Sequence, residues 1–296
     1  MDNIVKACNG IFKSLIKGEY KHLTSEIIKE LNLKVLTGLP IPQNVTPGEV
    51  RRYFVGVGRY RGAPAEDCEY LLERLCSLVN DNRDGVQGLD PLSSSVLLAV
   101  VTHLYIAWIH PFGDGNGRTA RLLEFMLLLQ GGAPAPAAHL LSNHYNATRQ
   151  AYYAELDRAS ASGGDIVPFV LYALRGLRDG LGNQIEEIRG YQLRMIWRDH
   201  VSHALVESKT RDSAEIRTRR RELVEALTDV GGPVPLSGIA ALTPSLAAVY
   251  ARKTRKTLTR DIHALQELGL IETTQEGVRA RVDTMLAFLP PKAEKQ

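Results

Sequence analysis

What most constrains this chain is a pair of apolar runs joined by a glycine-rich turn, between Pro91 and Leu129. Asp90 followed by Pro91 reads as a helix start, an acid suited to the N-cap and a proline at the first helical position. From there to Ile109 the chain is apolar nearly all round, and Thr102 and His103 interrupt its longest run, residues 96–109. A helix with no polar face belongs at the centre of a fold. The run is shorter than the roughly 20 residues that a bilayer core demands, so a buried helix is expected. Pro111 stops it, Gly113, Gly115 and Gly117 follow, and a second apolar helix starts near Asn116 and continues through Leu122, Phe125 and Leu129.

Around this centre, helical spacing covers residues 23–36, and the Pro- and Gly-rich stretch 38–48 breaks it. Residues 51–60 are short, aromatic and β-branched with glycines, the pattern of an extended segment or small hairpin. A helix is expected over 65–79, with Leu71, Leu72, Leu75 and Leu78 on one face. Two more, at 143–160 and 166–189, complete an almost wholly α first domain over residues 1–190. Residues 191–214 read as a polar helical connector. Helices are then expected at 217–228, 236–242 and 254–268, the last ended by Gly269. Strands at 270–274 and 278–282 flank Glu276 and Gly277. Three helices followed by a hairpin is the layout of a winged helix-turn-helix, here over 215–296.

With 296 residues, 44% of them hydrophobic, the chain can bury a sizeable core, and a charged fraction of 23% argues against a disordered or fibrous protein. Cys8, Cys68 and Cys76 are odd in number and lack metal-ligand spacing, which implies a reducing setting without a disulfide framework. The N-terminus lacks a long apolar stretch with a cleavage site, so no secretory signal is expected and the localisation is read as cytoplasmic. Net charge is +3; residues 215–296 hold 13 Lys/Arg against 10 Asp/Glu, while the first 214 hold 23 of each. That small C-terminal excess permits nucleic-acid contact without demanding it.

The chemistry is concentrated in HPFGDGNGRTAR, residues 110–121. Free backbone N–H groups at the second helix start carry partial positive charge and form an anion site. Gly113, Gly115 and Gly117 let the backbone approach an anion without a Cβ in the way. Arg118 and Arg121 share a face and can reach further phosphates. Asp114 offers a carboxylate to Mg²⁺, which commonly takes only one or two from a protein when a nucleotide fills other positions. His110, at the end of a rigid helix, suits general-base work. No Walker A pattern is present, and Gly56 and Gly58 lack the third glycine of a dinucleotide site.

This segment resembles the Fic signature, His-x-Phe-x-Asp/Glu-Gly-Asn-Gly-Arg-x-x-Arg, at every defined position. Pro47 and Gly48 are similar to the lead into the family's target-docking flap, and Arg149 with Tyr152 and Tyr153 resembles its later Arg and aromatic pair near the nucleotide. The resemblance covers about the first two-thirds of the chain. It implies a mainly α, Fic-type helical core with a small β-hairpin flap, and an enzyme that moves AMP from ATP onto a Ser, Thr or Tyr hydroxyl of a target protein, itself included. His110 would take the hydroxyl proton and Asp114 would hold Mg²⁺. Asn116, with the N–H groups of Gly115 and Gly117, would stabilise the transferring phosphoryl; Arg118 would hold the β-phosphate and Arg121 the γ-phosphate. The flap residues Val55, Gly56, Val57, Gly58 and Tyr60 would hold the target by strand addition. Many relatives carry an inhibitory Ser/Thr-x-x-x-Glu-Gly/Asn helix. Here the lone Glu-Gly pair is Glu276 and Gly277, with Glu272 four before it, so that pattern is absent and Arg121 is expected to be free.

Other residues read more plainly. His103 is expected as a core or capping residue, His139 and His144 at the surface, and Trp108 in the core. Arg255, Lys256 and Arg260 lie where a helix-turn-helix would contact duplex DNA, although a solvated basic face fits equally, as it does for residues 217–221. Two alternatives accompany the enzyme: a DNA-binding regulator whose core senses nucleotide, and a Fic enzyme transferring another phosphate-linked group. A homodimer is admitted, and no membrane partner is expected.

Overall fold

The computed structural model of the protein describes residues 2–20, 22–57, 60–208 and 212–290. They are mainly helical, with two small antiparallel sheets, and divide into two compact units, Met1–Asn183 and Gln184–Gln296.

In the first unit, α1 (Asp2–Ile16) and α2 (Ser25–Leu36) precede a hairpin of β1 (Gly56–Val57) and β2 (Tyr60–Arg61). Its register pairs Gly56 with Arg61 and Val57 with Tyr60. α3 (Cys68–Asp81), α4 (Pro91–Ile109) and α5 (Asn116–Gln130) follow, then α6 (Ala135–Ala138), α7 (Leu140–Ala147), α8 (Arg149–Ala161) and the start of α9 (Val167–Glu207). Asp90 caps α4 as expected, its carboxylate accepting from the N–H groups of Leu92 and Ser93. α4 is apolar and long enough to pass for a membrane span by composition. It packs on α5 instead, with Val100, Leu104 and Ile106 facing a core that holds Leu123, Met126 and Leu128. Each such buried side chain contributes about 1.5–3 kcal/mol, so this pair anchors the unit.

Two local expectations shift. α3 buries Cys68, Leu72, Leu75, Cys76 and Val79, whereas Leu78 is exposed. The cysteines act as small apolar residues and turn the inward face away from Leu78. Residues 143–160 are not one helix. Thr148 leaves helical geometry at φ −112° and ψ 40°, its hydroxyl bonds the His144 carbonyl at 2.7 Å, and α7 ends there.

The second unit takes the rest of α9, then α10 (Ala214–Val230), α11 (Pro244–Ala251), α12 (Arg255–Glu267), β3 (Ile271–Thr273) and β4 (Val278–Ala280), with Val234 bridged to Val278. The connector expected over 191–214 is mostly continuous α9, and Trp197, Val201 and Leu205 are buried in this unit's core with Leu223, Leu227 and Leu265. Its sparse apolar residues fall at helical spacing, which a polar average conceals. The short helix expected at 236–242 is a 3₁₀ turn, Ile239–Ala241. The true second helix is α11, started by a Thr243 cap and Pro244, the same signal as Asp90 and Pro91. Asp261, 1% exposed, accepts from Arg219 Nε at 2.7 Å and Nη2 at 3.1 Å, from Arg220 Nε at 3.0 Å and from the Tyr250 hydroxyl at 3.0 Å. Arg219 and Arg220 are therefore core ion-pair partners, not an exposed basic face.

Candidate active site

α4 ends at His110, whose φ of 50° and ψ of 55° make it the one non-glycine with positive φ among the described residues. The ring Nδ1 lies 3.3 Å from the Ala107 carbonyl. A carbonyl only accepts, so Nδ1 carries the proton and Nε2 keeps its lone pair. Burial lowers the pKa of His110 below 6.5; the Ala107 carbonyl opposes this, the Arg51 charge adds to it, and Asp114 opposes it. The outcome is a neutral imidazole at neutral pH, the form a general base needs.

The loop after His110 is fastened by side chains. Phe112 is buried, and its N–H donates to Asn116 Oδ1 at 2.9 Å while its carbonyl accepts from Asn116 Nδ2 at 2.7 Å. Asn32 of α2 donates to the Asp114 carbonyl at 3.0 Å and to the Thr119 hydroxyl at 3.1 Å, and accepts from the Gly48 N–H at 3.0 Å. Gly115 sits at φ +80°, where a Cβ would crowd Asn32 and Leu36. On Gly113 a Cβ would strike the Tyr53 hydroxyl at 2.2 Å. Gly117 differs: a Cβ there would meet only Arg121 Nη2, at 3.6 Å. A Cβ at 117 would meet no clash within the fold, and Gly117 lines the cavity beside the first-turn amides of α5. Those amides have no carbonyl partner within the helix, the makings of an anion cradle.

Asp114 and Arg118 pair at 3.2 Å, and Asp114 also accepts from the Gly115 N–H. Arg121 donates to the Gly117 carbonyl at 3.1 Å and to Asn146. It meets no carboxylate among the described residues.

A cavity of about 560 Å³ opens beside these groups. His110, Asn116, Gly117 and Arg121 form one end, Tyr60, Ala107 and Trp108 a side, and Tyr152, Tyr153, Leu156, Asp157 and Ser160 the far wall. That wall rests on a buried polar network. The Tyr152 hydroxyl is 2.9 Å from His103 Nε2, and Glu124 accepts from the Tyr145 hydroxyl at 2.9 Å. His103 Nδ1 lies 3.4 Å from Glu124, within ion-pair range but outside hydrogen-bond geometry. Burial raises the pKa of both tyrosines, so their hydroxyls stay protonated.

Residues 22–128 match the Fic/DOC family model. The chain carries a Fic/DOC domain. It is similar to protein adenylyltransferase fic-1 of Caenorhabditis briggsae, 30% identical over 207 residues, which is 70% of this chain and 37% of that protein. The C. elegans protein of the same name is 33% identical over 163 residues, 55% of this chain and 28% of that protein. The chain thus spans about a third of the length of these curated relatives. A solved Fic family protein from Desulfovibrio desulfuricans G20 is 19% identical, with a TM-score of 0.46 and coverage of 92% of this chain and 70% of that one.

The cavity brings together His110, Asn116, Gly117 and Arg121 of the matched segment, Tyr60 from the hairpin, and Tyr152 and Tyr153 from α8 beyond it. Gly113, Gly115, Asp114 and Arg118 lie in the adjoining loop and first turn of α5 but do not line it. Gly58 lies outside the described residues; Val55 and Gly56 sit on the hairpin's first strand side, and the Tyr60 hydroxyl donates to the Trp108 carbonyl. Burial pushes the pKa of Tyr60 up to about 12. Arg149 stacks its guanidinium 5.7 Å from the Tyr153 ring centroid.

Two expectations change. Trp108 is half-buried, packed against the core on one side and lining the cavity on the other, not sealed inside. The Asn116 amide is bonded on both its atoms to Phe112, so its main task is to hold the loop, leaving one amide hydrogen for a ligand. Sequence reasoning missed Asn32, Leu156, Asp157 and Ser160. Leu156 and Ser160 fall four and eight residues after Tyr152, the helical spacing that would have found them. In the second unit Arg255, Lys256 and Arg260 are exposed on α12.

Proposed function

We propose that this chain is a protein adenylyltransferase that uses ATP and Mg²⁺ to place AMP on a Ser, Thr or Tyr hydroxyl of a protein target, itself included. The observation that carries this reading is the shared cavity: a neutral imidazole, first-turn helix amides, an arginine without a carboxylate partner and an aromatic wall line one 560 Å³ space. The similarity to proteins named adenylyltransferase supports it.

The target oxygen attacks the α-phosphorus, a new P–O bond forms, and the bond to the α–β bridging oxygen breaks to release pyrophosphate. His110 Nε2 accepts the hydroxyl proton. The α5 amides and helix dipole stabilise the charge on the phosphates as it shifts. Arg121 takes the terminal phosphate, and the base packs along Tyr152, Tyr153 and Leu156. Asp114 fits a nucleotide-bound Mg²⁺, being the one motif carboxylate and 41% exposed at its side chain. Bound there, the ion would neutralise phosphate charge, with Arg118 exchanging Asp114 for a phosphate oxygen. The β1–β2 hairpin offers backbone groups to an extended target segment. Two arginines suited to the β- and γ-phosphates favour AMP over transfer of phosphate or another phosphate-linked group. Three free, buried thiols accord with a cytoplasmic setting.

Intact-mass analysis after incubation with ATP and Mg²⁺ tests the reading. Wild type gains one adenylyl unit and His110→Ala gains none; a gain of a phosphate alone, or no gain in wild type, contradicts it.

A second property belongs to the other unit, read as a winged helix-turn-helix. Arg252, Arg255, Lys256 and Arg260 are exposed around the start of α12 and meet no carboxylate among the described residues, which favours duplex DNA as a partner. Binding should weaken with salt, with a log–log slope of about −0.9 per phosphate neutralised, and Lys256→Ala should reduce that slope by about 1. Salt-independent binding, or none, argues against it.

A further inference from the structure

Arg51 is 4% exposed, yet no carboxylate meets it among the described residues. A buried cation without a counter-ion is costly unless other acceptors surround it. Arg51 has four, all backbone carbonyls. Nε donates to His110 at 2.7 Å, Nη1 to Tyr53 at 2.7 Å, and Nη2 to Ala63 at 2.5 Å and Ile109 at 3.4 Å. Its own backbone N–H donates to the Pro111 carbonyl at 2.9 Å.

The placement is specific. The carbonyls of residues 109 and 110 stand at the C-terminal end of α4, where helix carbonyls lack partners and carry negative partial charge. Tyr53 precedes β1 and Ala63 follows β2, so one planar fork joins both stems of the hairpin to the backbone of His110. Arg51 does not line the cavity and so cannot touch the reacting atoms. Gly62 fills the remaining space: a Cβ there would lie 2.9 Å from Arg51 Nη2 and 3.0 Å from His110 Cβ.

We infer that Arg51 is a positioning residue: its guanidinium fixes the left-handed backbone of His110 and ties it to the base of the hairpin, so that base and docked target keep one geometry. The inference rests on the reading of His110 as the base and the hairpin as the target dock. The groups around the His110 ring are the Ala107 carbonyl of α4, Arg51 and Asp114, with Tyr60 of the hairpin, Arg121 of α5 and Asp157 of α8 lining the same cavity.

The test uses the full chain with Arg51→Lys, Arg51→Gln and Gly62→Ala, each checked by thermal melting. NMR of the His110 ring, titrated without nucleotide, is compared with steady-state AMP transfer. Arg51→Lys keeps the charge but cannot span four carbonyls; it should shift the His110 resonance and lower kcat by about 100-fold with KM for ATP unchanged. Arg51→Gln should in addition raise the His110 pKa and move the acid limb of the pH profile upward, since the cation that lowers it is gone and Asp114 remains. A folded Arg51→Lys with wild-type kcat and an unmoved His110 resonance overturns the inference. Should both Arg51 variants fail to fold, Gly62→Ala decides, because it retains the charge and inserts a methyl between the two groups: the same loss of kcat supports the inference, and wild-type kcat with unmoved resonance refutes it. If wild type transfers no AMP, the proposed function falls, and the His110 resonance and titration still decide the role of Arg51.

Discussion

Asn116→Ala tests how the loop after His110 is held. Phe112 and Asn116 are 1% and 4% exposed, and the two Phe112 backbone groups find their partners on the one carboxamide. Removing it leaves a buried N–H and a buried carbonyl unsatisfied, at about 1–3 kcal/mol each, so a loss of roughly 2–6 kcal/mol is expected. That is a large share of the roughly 5–15 kcal/mol by which domains of this kind are stable. Asn116→Asp keeps the acceptor and loses the donor, and should cost about half as much before any penalty for its charge. Urea denaturation followed by circular dichroism measures both, and transfer kinetics measure the effect on the site. If the two variants lose less than about 0.5 kcal/mol, the level of an ordinary surface change, the loop is not held this way. A full loss of activity without a loss of stability would instead assign Asn116 to the transferring phosphoryl.

Further outcomes follow from the same geometry. AMP transfer should fall as pH drops through the His110 pKa, which burial holds below 6.5, so an acid limb centred above that value in the pH–rate profile contradicts the neutral-base assignment. Tyr152→Phe strips the partner from buried His103 Nε2 and should cost about 1–3 kcal/mol in a melt, while the retained ring keeps KM for ATP lower than in Tyr152→Ala. Asp261→Asn leaves Arg219 buried without its counter-ion and Arg220 with Asp212 alone, and a loss of about 3–5 kcal/mol is expected in denaturation of the second unit; a neutral change would mean the network is dispensable.

The central helices were legible because their signals are local: a capping acid before proline, a long and nearly all-apolar run, and glycines where the chain turns. The motif residues were legible for the same reason, since 12 consecutive positions carry them. What sequence concealed was tertiary. Nothing near Asn32 reveals that it reaches Asp114, 82 residues away, and Arg51 looks like any basic residue before a strand until the end of α4 is laid across it. For Arg219 and Arg220 sequence left a solvated face and a DNA contact equally open, because Asp261, which both arginines meet in the core, lies more than 40 positions on. Trp108 looked like core because apolar periodicity does not distinguish packing against protein from facing a cavity. The break at Thr148 was invisible because a threonine is tolerated in helices, and here its hydroxyl and backbone together end one.

Label tracking addresses the central claim most directly. The protein is incubated with Mg²⁺ and ATP labelled at either the α- or the γ-phosphate, and incorporation into protein is followed for wild type and His110→Ala. The α-label should enter protein with wild type only, and the γ-label should leave as pyrophosphate. Entry of the γ-label, or entry of the α-label with His110→Ala at the wild-type rate, would contradict a site in which this imidazole and this helix start act together on the α-phosphorus.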